Sequence, residues 1–389
     1  MNVDIAIVGA GPAGLCFARA LAGSGLSIAV IEKQPLAAIA EPAFDGREIA
    51  LTHASREILV RMGLWERFDS DEVSELRDAK VINGSADSGL HVSAADGRSP
   101  QLGWLVPNHL IRRAAHALVA PQSGVQLLAG QGVTGVVREG AQVALTLEGG
   151  DMVRARLLVA ADSRFSQLRR MLGIGARSYD HGKRMLVCRV AIGTPHDHVA
   201  WEWFGYGQTI ALLPLTGDRA SVVLTLVPAE MTRVEAMDDA AFAAEIERRF
   251  GGRLGAMRPL GPRHVYPLVS VFADRFTASR AALVGDAAVG MHPVTAHGFN
   301  LGLQGAATLA DVVLQAHRRG EDIGSDAVLA RYGRRHKLAA WPMYAATRLV
   351  VRVFTDDRAP ARGVRAAILR ISNRLPPLRR AIAARLTQA

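Results

Sequence analysis

Gly9, Gly11 and Gly14 stand between two short apolar runs, at the spacing a strand-to-helix turn needs when it must hold phosphates. Gly9 permits the tight turn. Gly11 lets the backbone approach a pyrophosphate, and Gly14 lets the next helix pack close to the sheet. That helix would aim free N–H groups and its positive dipole end at the phosphates. Glu32 follows eighteen residues after Gly14. A carboxylate there accepts hydrogen bonds from a ribose 2′-hydroxyl and repels a 2′-phosphate, which argues against NADP at this site. Ala13 in the turn and Lys33 after the acid complete this candidate dinucleotide site.

Two more segments carry chemistry. Ala281 to Val284 is a short apolar run ended by Gly285-Asp286, and Asp162-Ser163-Arg164 ends another. A strand-end Asp can hold a ribityl or ribose hydroxyl, so Asp162 and Asp286 are candidate cofactor ligands. After Asp286 comes a loop with His292, Pro293 and His297, then a predicted helix from Leu301 to His317 with Asn300 as its N-cap. A helix N-terminus there can stabilise negative charge on a reduced ring. Pro293, Gly298, Phe299 and Asn300 are therefore assigned to the cofactor. In this order the three segments predict one flavin adenine dinucleotide, FAD, held by residues far apart in sequence. A base beside a reacting ring would assist proton transfer. His297 is the candidate for a substrate-facing or proton-relay role, and His292 for fixing the loop. Five residues apart across a proline, the two lack a third ligand, so no metal is expected.

These groups need a scaffold. Val3–Val8, Ile28–Glu32, the strands ending at Ala161 and Ala281–Val284 read as a buried parallel sheet. Helices are expected at Leu15–Ala22 and Asn108–Ala120. Met185–Ala191, Val199–Phe204, Thr209–Leu215 and Ala220–Leu226 read as antiparallel strands, followed by a helix at Asp238–Phe250. The fold class is α/β. A discontinuous nucleotide-binding domain takes residues 1–75, 105–183 and 273–330. A β-sheet substrate domain takes 76–104 and 184–272. A C-terminal helical region takes 331–389, with interruptions at Pro342, Pro360 and Pro376-Pro377. Strand alternation sends Trp201 and Trp203 to one face, which either lines a ring pocket or packs on the helix at 238–250. Trp203, Tyr206 and Pro214 are the candidate substrate contacts.

Composition bounds the rest. The chain has 389 residues, 49% of them hydrophobic, enough for a large core in two lobes. Cys16 and Cys188 are 172 residues apart and show no metal or redox spacing. No signal peptide precedes the first strand, so a cytoplasmic setting is expected, and no apolar run is long enough to span a bilayer. The formal charge is +10. From Arg331 to Ala389, thirteen Arg and one Lys face Asp356 and Asp357, a net +12, leaving −2 on the first 330 residues. No nucleic-acid motif accompanies this charge. Apolar stretches interleave it, so the tail is either a basic amphipathic membrane-contacting element or a docked helix pair with a solvated Arg face.

With these motifs the chain resembles the class A flavoprotein monooxygenases, whose fold is that of para-hydroxybenzoate hydroxylase, and within them the ubiquinone-biosynthesis hydroxylases. Gly9, Gly11, Gly14 and Glu32 match the family's opening motif, and Arg47 matches its arginine over the nucleotide. Arg112 stands where relatives place a polar flavin contact. Asp162-Ser163-Arg164, with Arg169 later, matches the Asp-Gly motif, with Ser163 replacing the glycine. Gly285-Asp286 and His292-Pro293 match the last two motifs. Relatives commonly read Gly-Gln-Gly where this chain has Ala296-His297-Gly298, a loop that resembles a ubiquinone hydroxylase subgroup called UbiM. The resemblance implies hydroxylation of a demethoxyubiquinol-type polyprenylated ring with dioxygen through a C4a-hydroperoxyflavin. It also implies reduction by NAD(P)H or by a separate reductase, since no second nicotinamide lobe is visible. A ubiquinone-biosynthesis complex and peripheral contact with the inner face of the cytoplasmic membrane are expected partners. The alternatives are a flavin halogenase, with Lys80 as its lysine, a prenyl-lipid reductase, and a non-enzymatic membrane-associated flavin scaffold. The halogenase Trp-x-Trp-x-Ile-Pro signature is not met by the residues from Trp201 to Tyr206.

Overall fold

A computed structural model of the chain describes residues 1–84, 89–97 and 99–388. The apolar N-terminal run forms β1 (Asn2–Val8), which leads through the glycine turn into α1 (Pro12–Ala20) and then β2 (Ile28–Glu32). Pro12 opens α1, where its missing N–H costs nothing. The sequence then supplies β3 (Asp78–Asn83), α2 (Asn108–Val119), β4 (Val125–Ala129) and β5 (Met152–Ala160). Next come β6 (Ala176–Ile192), β7 (Val199–Gly205), β8 (Gln208–Pro214) and β9 (Arg219–Leu226). They are followed by α3 (Asp239–Arg249), β10 (His264–Ala273) and β11 (Ala281–Leu283). The chain ends in α4 (Gly298–Arg318), α5 (Asp326–Phe354), α6 (Ala359–Arg374) and α7 (Pro376–Gln388).

The first sheet runs β11-β5-β1-β2-β4 in parallel. Its register pairs Val8 with Ala160 and Ile31, and Ala160 with Leu283. Ile5, Ala6, Ile7, Ala29, Val30, Leu157, Leu158 and Val159 are fully buried. Strands covered on both faces have no polar side, which is why they read as unbroken apolar runs. The second sheet runs β10-β6-β9-β8-β7-β3 and is antiparallel except for the β7–β3 pair. One of its faces packs on α3 through Phe242, Ile246 and Phe250. The other faces the first sheet across a cleft.

The long helix α5 joins the two layers. Tyr332, fully buried, donates its hydroxyl to the Leu283 carbonyl at 2.6 Å, pinning α5 to β11. His336 stacks on Tyr332 with ring centroids 5.6 Å apart and lies 5.2 Å from the Phe276 ring. The tail docks on the second sheet, where Phe354, Leu369 and Ala383 pack with Leu90, Val92 and Phe204. Arg365 is fully buried beneath it, donates to the Phe354 carbonyl and lies 3.5 Å from Asp357.

Several elements differ from the sequence expectation. α5 runs through Pro342, because one lost hydrogen bond in a helix anchored by Tyr332, Ala340, Tyr344 and Thr347 does not break it. Pro360 and Pro376-Pro377 do mark helix starts. Residues 176–183 belong to β6 of the second sheet, with an irregularity between Asp180 and Arg184 that bends the strand past β10. The expected helix at 238–250 is preceded by another at Pro228–Glu235. α4 begins at Gly298, three residues early, so Asn300 is inside it and is not its N-cap.

Burial holds His336 neutral by pushing its ring down to about 4. An ordinary histidine binds its proton at about 6.5, so between pH 6.5 and 4 the unfolded chain binds more protons than the folded one. Stability is therefore lost as pH falls through that window, by on the order of 3 kcal/mol in total from this group. Replacing His336 with Leu should remove about one proton from the slope of stability against pH between 6.5 and 5. Denaturant midpoints across that range check it, and an unchanged slope would contradict it.

Candidate active site

The C-terminal ends of β11, β5, β1 and β2 lie side by side, so Gly285-Asp286, Asp162, the glycine turn and Glu32 meet at one edge. Gly9 adopts φ +112°, and a Cβ on it would collide with the Ala161 backbone. A Cβ on Gly14 would collide with the Gly9 carbonyl. A Cβ on Gly11 would meet nothing within 4 Å. The turn is closed against the sheet and open over the N-terminus of α1, which has no side-chain cap. That open cradle fits a pyrophosphate. Glu32 Oε2 accepts from the Ala10 N–H at 2.8 Å and Oε1 from the Gln34 N–H at 3.0 Å, which orients the carboxylate at the edge. Arg112 donates to the Gln34 side chain at 3.2 Å.

Arg169 ties two of the segments together from behind. Buried, it donates to the Ala287 carbonyl at 2.9 Å and the Arg164 carbonyl at 3.2 Å. Arg164 in turn pairs with Asp286 at 2.8 Å. Ser166 donates to Asp162 at 2.6 Å. Arg47 pairs with Asp45 at 2.6 Å, and Asn108 donates to the same carboxylate at 2.7 Å. Burial alone would raise Asp45, but these bonds and the Arg47 charge hold it below its ordinary value.

The cleft between the sheets holds about 1030 Å³. It runs from Ala10, Gly11, Glu32 and Arg112 at one end to Val351 and Arg352 of α5, and Asp356 just beyond it, at the other. Midway, α4 presents a second helix N-terminus without a side-chain cap, lined by Gly298 and Phe299. Two such ends on one cleft suit a ligand with negative charge at two places, a pyrophosphate and a reduced flavin ring. His292 lines this region, and its Nδ1 accepts from the Val294 N–H at 3.2 Å. Its ring stands edge-on to His181 at 4.6 Å, and His181 shares a 2.9 Å hydrogen bond with Ser270. Burial, the His181 ring and the positive charges of Lys183 and Arg164 push His292 down to about 3, so it is neutral near pH 7.

The structure brings most of the sequence-chosen residues together. Ala13, Gly11, Glu32, Lys33, Arg47, Arg112, Asp162, Asp286, His292, Pro293, Gly298 and Phe299 all line the cleft, and Gly9 and Gly14 shape its turn. Others lie elsewhere. His297 is buried, with Nδ1 on the Thr295 carbonyl, and is not among the described side chains that line the cleft, unlike Ala296 and Gly298 on either side. Asn300 staples the loop instead of lining it, accepting from the Thr52 N–H at 3.1 Å and donating to the Ala50 and Ala296 carbonyls. Trp203 faces the α3 layer, donates to the Gly84 carbonyl at 2.7 Å and lies under Arg253. Tyr206 sits in the exposed β7–β8 turn, 3.8 Å from the Arg362 guanidinium. Pro214 is buried on the far face, and Leu213 lines the cleft in its place. Lys80 lies over the Trp201 ring at 5.6 Å, also outside the cleft. Alternation explains the corrections on the strands: Glu202, between the tryptophans, and Phe204, after them, line the cleft. Tyr179, His181, Lys183, Ser270 and Arg348 also line it, and no local sequence signal marks them.

Comparison with known proteins gives the same picture. A family model described as an FAD binding domain matches residues 2–347. The ubiquinone hydroxylase UbiM of Neisseria meningitidis is 46% identical over 391 residues, covering 100% of this chain and 85% of that protein. The ubiquinone hydroxylase UbiL of Rhodospirillum rubrum is 38% identical, covering 97% and 87%. The crystal structure of p-nitrophenol 4-monooxygenase PnpA from Pseudomonas putida superposes with a TM-score of 0.80 at 18% identity, over 98% of this chain and 97% of that one. At that identity the likeness shows the fold.

The two glycines separate folding from cofactor retention. Gly11→Ala should leave the apoprotein's thermal midpoint unchanged and weaken FAD binding at least tenfold, because its methyl group enters only the pyrophosphate cradle. Gly14→Ala should lower both. Flavin content and thermal melts of the two variants check this, and wild-type FAD retention by Gly11→Ala would place the pyrophosphate elsewhere.

Proposed function

This chain belongs to the FAD-binding family of the ubiquinone hydroxylases, and on that premise we propose that it hydroxylates the aromatic ring of a ubiquinone precursor. The substrate class is a demethoxyubiquinol-type polyprenyl phenol or quinol, and dioxygen is the co-substrate. The observation that carries this reading is the single continuous cleft. One end has the phosphate cradle and ribose carboxylate, the middle has the α4 N-terminus, and the rest is walled by an antiparallel sheet that is largely apolar. Bound FAD supplies the electrons and the activation of dioxygen. The chain's own residues do the remainder. Gly11 and α1 hold the pyrophosphate, Glu32, Asp162 and Asp286 hold hydroxyls, and Pro293, Gly298 and Phe299 bound the ring. Val187, Ala211, Leu213 and Val223 keep water from the reacting centre. His292, neutral near pH 7 and bonded to the Val294 N–H, fixes the loop. The reductant is NAD(P)H or a partner reductase.

Expression in bacterial strains that each lack one ubiquinone ring hydroxylase tests the reading. Ubiquinone should return in at least one strain, with loss of the matching intermediate by mass spectrometry. Well-expressed protein that restores none of them would contradict it and favour a halogenase or reductase.

The reading extends to contact with the cytoplasmic membrane's inner face, within a ubiquinone-biosynthesis complex, for a substrate that carries a prenyl tail. Among the described residues no helix is long and apolar enough to cross a membrane. α6 nevertheless exposes Val364, Ile368 and Ile371 at helical spacing, followed by exposed Leu375 at its C-terminal end, with exposed Arg370 and Arg374 beside them. On α5, Leu338, Trp341 and Leu349 form a second exposed stripe near Arg334, Arg335 and Arg352. Apolar stripes flanked by arginine suit an anionic lipid surface, where each cation contributes about 1 kcal/mol. The full chain should sediment with anionic but not neutral vesicles, partly in a salt-resistant manner. Replacing Ile368 and Ile371 together with Ser should remove the salt-resistant fraction while FAD is kept. Equal sedimentation of both proteins would show that these helices only pack on the core.

A further inference from the structure

The cleft face of the second sheet is aliphatic along one cross-strand row, except at a single carboxyl group. Glu202 on β7 pairs with Ala211 on β8, Ala211 with Val223 on β9, and Val223 with Val187 on β6. All four line the cleft. The next row, Phe204, Thr209, Thr225 and Met185, adds two hydroxyl groups and no charge. Glu202 is therefore the one carboxylate that the β6–β9 wall turns into the cleft, among the described residues. No described residue donates a hydrogen bond to it or pairs with it as an ion. The charged groups that line the cleft include Lys183 of β6, Arg348 and Arg352 of α5, and Asp356 just beyond it. Burial pushes the Glu202 carboxyl up to about 8, so its protonated form predominates near pH 7. A carboxylic acid in an apolar wall is costly unless something in the cleft completes its hydrogen bonds. A Leu or Val would fill this position without that cost.

We propose that Glu202 is the polar anchor of the substrate, hydrogen-bonding a hydroxyl on the aromatic ring and so deciding which ring edge faces the flavin. This rests on the ring-hydroxylase reading and adds to it the residue that recognises the ring oxygen. As an uncharged acid, Glu202 can donate to the ring oxygen and accept from its O–H. It thus holds a phenol without requiring a charged partner in a dry site. The aliphatic row beside it contacts the ring face. Thr209 lies diagonally across from it, within reach of a second ring oxygen.

A hydroxyl-by-side-chain cycle tests this with the FAD-loaded full chain. The probes are 2-prenylphenol and prenylbenzene, which differ only by the hydroxyl, and binding is read from the perturbation of the flavin absorbance. Wild type should prefer the phenol by about tenfold. Glu202→Gln should keep most of that preference, since an amide also donates and accepts. Glu202→Leu should bring the ratio close to one and leave prenylbenzene binding unchanged or tighter. Flavin content reports folding, and Glu202→Ala serves the same comparison if the Leu variant loses its flavin. A tenfold preference that survives in flavin-loaded Glu202→Leu or Glu202→Ala overturns the anchor and leaves the hydroxylase reading intact. Failure of wild type to bind either probe overturns the hydroxylase reading, and the anchor with it.

Discussion

Gly9 approaches the Ala161 backbone too closely for any side chain to stand between them, and the site depends on that approach. It is set by parallel register. The Ala161 N–H donates to the Val8 carbonyl at 2.8 Å, the Gly9 N–H to Ile31 at 2.8 Å and the Val284 N–H to Ala160 at 2.9 Å. Four strand ends are thereby held in one line, and each delivers one part of the cofactor site. A side chain at Gly9 would push β1 from β5 and separate the phosphate cradle from Asp162 and Asp286. Gly285 adds a similar limit, since a Cβ there would lie 2.8 Å from Ala13.

Around this edge the molecule divides its work between rigid and ligand-facing groups. Arg169 is spent on backbone carbonyls and locks two segments that do not touch in sequence. Asn300 does the same for the loop before α4. Such buried polar groups are satisfied by the protein itself, so they rigidify. The cleft-facing groups are different. The uncapped ends of α1 and α4 and the Glu202 carboxyl find no complete set of partners within the fold. That contrast is the physical signature of a binding site. α5 completes it, since it is pinned to β11 by Tyr332 and lends Tyr344, Arg348 and Val351 to the cleft wall. The C-terminal region is thus partly a wall of the site as well as a basic surface.

The nucleotide half was legible because its chemistry is local. A glycine turn, a strand-end acid and an Asp after an apolar run each announce themselves within a few residues, and parallel strands bring them together. The substrate half was not, because a strand's facing is fixed by what packs on its back. The sequence leaves the face of Trp201 and Trp203 open between a ring pocket and packing on the helix at 238–250; α3 covers that face, so Glu202 and Phe204 line the cleft. His292 and His297 share one loop, and the sequence assigns His292 a loop-fixing role and His297 a substrate-facing or proton-relay one. The left-handed turn at Ala296, φ 54°, directs one into the cleft wall and the other into the protein. Pro342 read as a break because local rules ignore the anchoring of α5 by tertiary contacts. Lys183 and Arg348 reach the cleft only through long-range folding, and no motif marks them.

On the proposed function, these strand ends would hold FAD and the second sheet would hold the ring, so that one atom of dioxygen ends on the ring. Single-turnover oxidation under ¹⁸O-labelled dioxygen tests it most directly. Photoreduced holoprotein is mixed with a prenylated phenol, exposed to the labelled gas, and the product is weighed by mass spectrometry. The account predicts one ¹⁸O atom on the aromatic ring of the product. Flavin reoxidation with unaltered phenol, or a hydroxyl derived from water, would contradict it.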